Sequence, residues 1–386
     1  MKKRVRMFKV FRYLNFKILL LISCSFILGD LEAKDVKLTS LYKINQYIRD
    51  IKEKELMNTL RMIVYKGKPN RFFGTSGHRN VQKHLLDTLK NFNYENSANL
   101  VVDSFKLNTK VGADFYEQSF DSKIVPTFKK DSKDYQKWFN FKNYMQKTLI
   151  KKKDVNGKNF VWSKKGESEK TLVLTAHYDT VSHNQETMKI NENSDMPGAD
   201  YNASSVSILL GLVKLLNPIK LKYSVKIVFL DAQSLAFLGS YDFAKKLILN
   251  HANTIGVINL EMLGHDSKHF DKLKKLKNFK VYGRDKNQDV NADDFKLYEK
   301  FSKLGKKGNA GIRFDFIRNN FNSSDNFRFW EQGFPSVTFT QNWEDDFNKK
   351  YQTPNDFPET INQRTLFHAF KYLARSTLGV VLDIKK

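Results

Sequence analysis

His177 and Asp179 in "LVLTAHYDT" and Glu261 in "TIGVINLEM" stand at the carboxyl ends of apolar runs, and Asp200 in "PGADYNASS" stands just before a helical stretch. One histidine and three carboxylates are metal-binding side chains. If they converge, they repel one another unless protonated, paired or shared by a cation. A bound ion is therefore one expectation, and a constellation held by hydrogen bonds alone is the other. A third apolar run, "IVFLDAQSLAFLGS", ends in Gln233 and Ser234, and Gln352 follows in "KKYQTPND". An amide cannot accept a proton from water, and a hydroxyl is a poor substitute for a carboxylate on zinc.

These residues need a scaffold that brings distant segments to one edge. Strand-like runs occur at 171–176, 224–232, 254–262 and 336–341, separated by helical stretches at 204–216, 240–250, 290–304 and 364–382. Strand alternating with helix predicts an α/β fold with a mostly parallel central sheet flanked by helices on both faces. In such sheets ligands sit beyond the carboxyl ends of the strands, where the polar residues above are found. Upstream, 38–66 and 78–92 have helical periodicity and "NLVVDSFKL" reads as a strand, while 110–150 shows no clear period. No repeat or low-complexity linker divides residues 34–386, so one domain is expected there.

Residues 1–33 differ. A basic start, the apolar "ILLLISCSFIL" and the small, polar "GDLEAKD" predict an export signal. "LISC" resembles a lipoprotein cleavage box ending at Cys24, the only cysteine; the alternative is ordinary cleavage after Ala33. The expected location is the periplasm, the medium or a lipid-anchored place at the envelope, with no internal disulfide. Hydrophobic residues make up 41% of the chain, enough for a sizeable core. The net charge is +25, and the signal holds seven of the basic residues and two of the acidic ones. The lysines are scattered and no nucleic-acid-binding signature accompanies them, so a solvated basic surface is expected, with membrane contact through a lipid anchor or that surface.

Taken together, "LVLTAHYDT", "PGADYNASSV", "IVFLDAQSLAFLGS", "INLEMLGH", "SSDNFRFWEQGFPSVTF" and "YQTPND" resemble the co-catalytic zinc aminopeptidase superfamily. That group includes bacterial leucyl aminopeptidases, glutamate carboxypeptidase, glutaminyl cyclases and the non-enzymatic transferrin receptor ectodomain. The resemblance spans about residues 40–384 and is weakest from 103 to 150. It implies two zinc ions, one held by a histidine and an aspartate, the other by a glutamate and a histidine. A second aspartate bridges them, and a glutamate moves the proton of the metal-bound water.

By that resemblance His177, Asp200 and Glu261 are a retained half-site, with Asp200 the bridge and Asp179 orienting the ring of His177. Glu261 stands where aspartate is usual; one extra methylene shifts the metal or strand end by about 1 Å, against metal-bond tolerances of roughly ±0.2 Å. Gln233 takes the place of the proton-moving glutamate, and Ser234 and Gln352 take the places of zinc ligands. Asn326 replaces a further histidine. Single-zinc glutaminyl cyclases keep the groups equivalent to Asp200, Ser234 and Gln352, so this chain keeps the opposite half.

His183 and His265 lie near enough to be considered as substitute ligands, although loop histidines are usually solvated; His251, His269 and His368 read as peripheral. Glu344, Asp345 and Asp346 form a loop charge run, and Trp343 and Tyr351 read as pocket lining or packing. The expectation is an exported, catalytically degenerate relative that holds one zinc ion or none and binds a peptide, a protein amino terminus or another partner. The alternative is an active metal-dependent aminopeptidase with a one-metal site, and a third reading has the basic surface binding polyanions.

Overall fold

Apolar residues at consecutive rather than alternate positions mark strands covered on both faces. The computed structural model describes residues 38–92, 98–181, 183–184, 186–267, 276–284, 291–308, 311–319 and 323–384. The expected signal, with Cys24, and His269 lie outside them. Among the described residues, eight strands form one sheet: β1 (Asn99–Lys106), β2 (Asn156–Lys164), β3 (Ser168–His177), β4 (Tyr223–Leu230), β5 (Thr254–Leu260), β6 (Leu276–Gly283), β7 (Ile312–Arg318) and β8 (Ser336–Thr340). Their order is β1-β2-β4-β3-β5-β8-β6-β7. The central strands β4, β3, β5 and β8 run parallel, as do β6 and β7, whereas β1/β2, β2/β4 and β6/β8 are antiparallel.

The helices are α1 (Leu41–Ile48), α2 (Glu53–Lys66), α3 (Ser76–Phe92), α4 (Thr109–Ser119), α5 (Lys133–Lys151), α6 (Ser204–Leu216), α7 (Leu238–Leu249), α8 (Asn291–Lys307), α9 (Asn326–Glu331) and α10 (Gln363–Val381). Val173, Val228 and Val257 pack with Phe243 of α7 and Phe329 of α9. The residues between them in the strands point to the other face, where α6 and α10 lie against β3 and β4. Every residue of α6 except Lys214 is buried, so this helix is apolar all round and lies inside the molecule. Lys37–Lys386 form one compact unit. Among the described residues no helix is long and apolar enough to cross a membrane.

The α/β architecture and its mostly parallel sheet agree with the sequence reading. Several elements do not. The stretch at 38–66 is two helices, interrupted where Ile51 is buried. Residues 110–150 hold α4 and α5, joined by the π-helical turn Phe120–Ile124. Their period is hidden because the buried face of α5 carries Lys142 and Thr148 beside Met145 and Leu149. Strands β6 and β7 also escape the pattern: they lie at one edge of the sheet, where β7 is only half-buried and reads "IRFDFIR".

Candidate functional site

His177 ends β3, Glu261 follows β5, and the turn 231–237 follows β4, so three parallel strands deliver their ends to one rim. His177 is 1% exposed. Its Nδ1 lies 3.0 Å from the carbonyl oxygen of Asp179 and 3.6 Å from the carboxylate. That carboxylate accepts hydrogen bonds from the amides of Gln233 (3.1 Å) and Ser234 (2.9 Å) and from the Ser234 hydroxyl (2.6 Å). Asp179 thus braces the imidazole and also anchors the turn after β4, and Ser234 donates back into the scaffold. Burial opposes the ionisation of Asp179, but His177 and the Ser234 donors outweigh it and its pKa is lowered.

The turn itself is strained. Ala232, Ala236 and Phe237 all adopt left-handed backbone conformations, each costing on the order of 1 kcal/mol without glycine. The surroundings over-determine it. The Asp231 carboxylate bonds His78 (2.7 Å), Gln82 (3.1 Å) and the amide of Lys158 (2.9 Å). Tyr116 donates to the carbonyl of Ser234 (3.0 Å), and Arg328 donates to that of Ala236 (2.8 Å).

Glu261 Oε1 lies 3.9 Å from His177 Nε2. Neither oxygen of Glu261, nor His177 Nε2, nor either oxygen of Asp325 at the start of α9, has a hydrogen-bond partner of ordinary geometry. Burial raises Glu261 to about 7 and Asp325 to about 6, with His177 the main opposing influence. Burial disfavours a proton on His177, but Asp179, Asp325 and Glu261 together raise its pKa. Asp325, adjacent to the Asn326 considered from sequence, belongs to this buried group.

Asp200 does not join it. Its Oδ1 accepts from the amide of Gly264 (2.8 Å) and its Oδ2 from Asn348 Nδ2 (3.0 Å). The expected bridging role is thus not met by its placement, since both oxygens are committed to neighbouring loops. The next residue faces the site instead. The ring of Tyr201 packs 4.8 Å from that of His177, and its hydroxyl donates to Gln233 Oε1. On its other side lies Tyr351, also at 4.8 Å, whose hydroxyl accepts from Gln352 Nε2 (2.7 Å). Asp200 and Tyr201 share the π-helical turn Ala199–Ala203, whose irregular backbone at Tyr201 and Asn202 sends the two side chains to different surroundings, and no periodicity in the sequence signals this.

The loop carrying Tyr201 is fixed by charge. The fully buried Arg71 donates to the carbonyls of Tyr178 (2.7 Å), Pro197 (2.5 Å), Gly198 (2.8 Å) and Tyr201 (3.2 Å). The Asp356 carboxylate accepts from the amides of Asp200 (2.9 Å) and Tyr201 (3.0 Å). Gly198 turns the chain at φ +58°, where a Cβ would lie 2.4 Å from the Tyr201 carbonyl oxygen.

The remaining candidates are structural or peripheral. His183 is buried, and that burial lowers its pKa to about 4. His265 is 3.5 Å from Asp346. His251 sits in the turn after α7, and His368 lies on α10, 3.4 Å from Arg364. Asn342 accepts from the amides of Glu344 and Asp345, and Asp346 accepts from the amide of Ser267, so Asn342 braces the loop and Asp346 ties it to the loop after β5. Trp343 bonds Thr340 and packs on Tyr351.

Zinc takes three or four protein ligands. Among the described residues no three His, Cys, Asp or Glu side chains are placed to hold a metal. His177 and Glu261 offer two donors, and Tyr201, Gln233 and Gln352 fill the space beside them with neutral groups, so this donor set does not fit the dinuclear centre. Above the neutral groups opens a cavity of about 400 Å³, walled by Phe115, Tyr116, Trp138, Phe141 and Phe237.

Among solved structures, the LapA aminopeptidase of Legionella pneumophila is similar at 13% identity, covering 93% of this chain and 79% of its own, with a TM-score of 0.61. BSAP, a zinc aminopeptidase from Bacillus subtilis, is similar at 16% identity, 87% and 97% coverage and a TM-score of 0.60. Porphyromonas gingivalis glutaminyl cyclase is similar at 16% identity, 86% and 99% coverage and a TM-score of 0.59. No curated protein sequence matches the chain. At these identities the likeness establishes the fold, and residues 159–377 match peptidase family M28 over more than half the chain, so the protein belongs to that family.

Proposed function

We propose that this M28 chain is an exported, catalytically degenerate member whose cavity binds a peptide or partner without hydrolysing it. The observation that carries this reading is the phenol of Tyr201, lying on His177 and bonded to Gln233. Peptide hydrolysis in a metal site needs an activated water and a base to take its proton. At this rim, neutral side chains stand where the water and base would be. Loss of the base alone costs about 10²- to 10⁴-fold in rate.

The experiment is elemental analysis of the mature chain after incubation with zinc, paired with hydrolysis of leucyl and phenylalanyl p-nitroanilides. The expected result is substoichiometric zinc and no turnover above buffer. Turnover abolished by a chelator and by Glu261→Ala would overturn the reading in favour of a one-metal aminopeptidase. Cell fractionation tests export.

A further inference from the structure

We propose that the cavity between α10 and the junction of α1 with α2 is an oxyanion site of the phosphate class, built around Arg375. It shares no lining residue with the cavity at the rim and is independent of the function proposed above. Its volume of about 570 Å³ has room for a phosphate group together with the organic part of an ester.

The lining comes from three short segments. Phe367, Lys371 and Arg375 stand four residues apart on α10 and so share one face of that helix. Arg49 and Lys52 lie in the turn that joins α1 to α2, with Ile48 and Ile51 as an apolar wall. Four cations therefore surround one space, against a single acid, Glu53.

Arg375 is the decisive residue. It is 6% exposed; its Nε donates to Asn45 Oδ1, and its Nη1 is buried without a hydrogen-bond partner. Among the described residues no carboxylate pairs with it, and burial lowers its pKa with no acid opposing that effect. A buried guanidinium without a counter-charge is strongly disfavoured. The backbone nonetheless makes room for it, since a Cβ on Gly308 would lie 2.3 Å from its Nε.

The neighbours add to this charge instead of cancelling it. Lys371 sits one turn away on the same face, a spacing at which like charges repel. Burial and then Arg375 lower the Lys371 pKa; Glu53 opposes them, and Arg364 and Arg49 reinforce them. The first turn of α2, which opens at Lys52 without a side-chain cap, adds the positive end of a helix dipole. Of the two acids in that turn, Glu55 is already paired with Lys214 at 2.6 Å.

Guanidinium groups match the oxygens of phosphate and of carboxylate alike. The charge count decides between them. Four cations less one carboxylate leave three positive charges, which a dianion balances better than a monoanion does. Phe367, whose ring lies 4.8 Å from the Lys371 ammonium, offers an apolar surface with Ile48 and Ile51 to the organic part of an ester.

The test is calorimetry of the mature chain with pyrophosphate, phenyl phosphate and acetate at about 0.15 M ionic strength, paired with thermal melts. At least one phosphate is expected to bind saturably at one site per chain, about tenfold or more tighter than acetate. Arg375→Met should weaken it by at least about tenfold, the worth of a hydrogen bond to a charged group. Without ligand that variant should melt no lower than the parent chain, because an unpaired buried charge has gone. An arginine serving the fold alone gives the reverse, a lower melting temperature with binding kept, and overturns the proposal. Should Arg375→Met not fold, Lys371→Glu, at a half-buried position, carries the test with the same expected loss. Lys245→Glu makes the same charge change on α7, at the opposite face of the sheet, and should alter binding by no more than about twofold. Tighter pyrophosphate identifies a free polyphosphate as the source, and tighter phenyl phosphate an ester; either supports the site. Acetate binding as tight as that of both phosphates, no saturable binding, an equal loss in Lys245→Glu, or undiminished binding in Lys371→Glu overturns it.

Discussion

At the scale of the residue, the difference between Asp200 and Tyr201 governs the site. Asp200 is the carboxylate that the motif suggests, yet its oxygens serve Gly264 and Asn348, and the phenol of Tyr201 lies against His177. Restoring the lost residue types should therefore not be enough. The triple variant Gln233→Glu, Ser234→Glu, Gln352→His is expected to stay essentially zinc-free after dialysis, because the Tyr201 ring still occupies the space between the two halves. Adding Tyr201→Asp places a carboxylate there and is expected to bring about one or more zinc ions per chain, read by elemental analysis with circular dichroism as the folding control. Stoichiometric zinc in the triple variant alone would show that Tyr201 is not what excludes the metal. Residue identities were legible here: His177, Gln233, Ser234, Glu261 and Gln352 all lie at the rim where their motifs placed them. The direction of Asp200 was not legible, because a motif matched one residue out of phase still shows an acid. Asp325 escaped for a different reason, since an acid in a helix-start sequence reads as a cap.

At the scale of the element, two loops hold the site, and both borrow their shape from residues remote in sequence. Arg71, at the amino-terminal side of α3, supplies donors to four carbonyls on the loops after β3 and before α6. Arg71→Met leaves those carbonyls unpartnered and removes the positive charge beside Asp356. At about 1–3 kcal/mol for each buried unsatisfied group, with partial relaxation, the loss should be at least about 3 kcal/mol. The measurement is urea unfolding of the variant against Tyr201→Phe, which gives up a single hydroxyl and should lose roughly 1 kcal/mol. A loss in Arg71→Met no greater than in Tyr201→Phe would show that the loop holds its shape without the guanidinium. The strands and helices that deliver the rim were readable because two-sided burial writes continuous apolar runs, and α6 was placed to the residue. The pair α4 and α5, which walls the cavity, was not readable. Its inward face carries Lys142, neutralised by Glu117, and no periodicity argument anticipates a buried lysine matched across two helices.

At the scale of the whole molecule, the buried carboxylates set how stability follows pH. Glu261 and Asp356 are raised by burial to about 7 and Asp325 to about 6. Between their unfolded values near 4 and these folded values, the native state holds protons that the unfolded chain has released. Stability therefore falls as pH rises through that window and levels off above about 7. The raised pKa of His177 acts in the same sense, its contribution being lost as pH climbs past its folded value. His183 acts oppositely: lowered to about 4, it costs stability as pH falls from about 6.5 towards 4. Three acids and one histidine outweigh one histidine, so the melting temperature should be higher near pH 5 than near pH 8, in salt sufficient to screen the net positive charge and in the presence of a chelator. Glu261→Gln isolates the largest share attached to the site. A neutral amide escapes the ionisation penalty, about 3 kcal/mol for a shift of roughly 2.5 units, so the variant should gain stability at pH 8 and change little at pH 5. A metal held by His177 and Glu261 reverses the sign, because the ionised carboxylate is then the stabilised form. Loss of stability at pH 8 in Glu261→Gln, together with a fall in the melting temperature of the parent chain on adding chelator, would show that a cation and not a proton balances the charge beneath Tyr201.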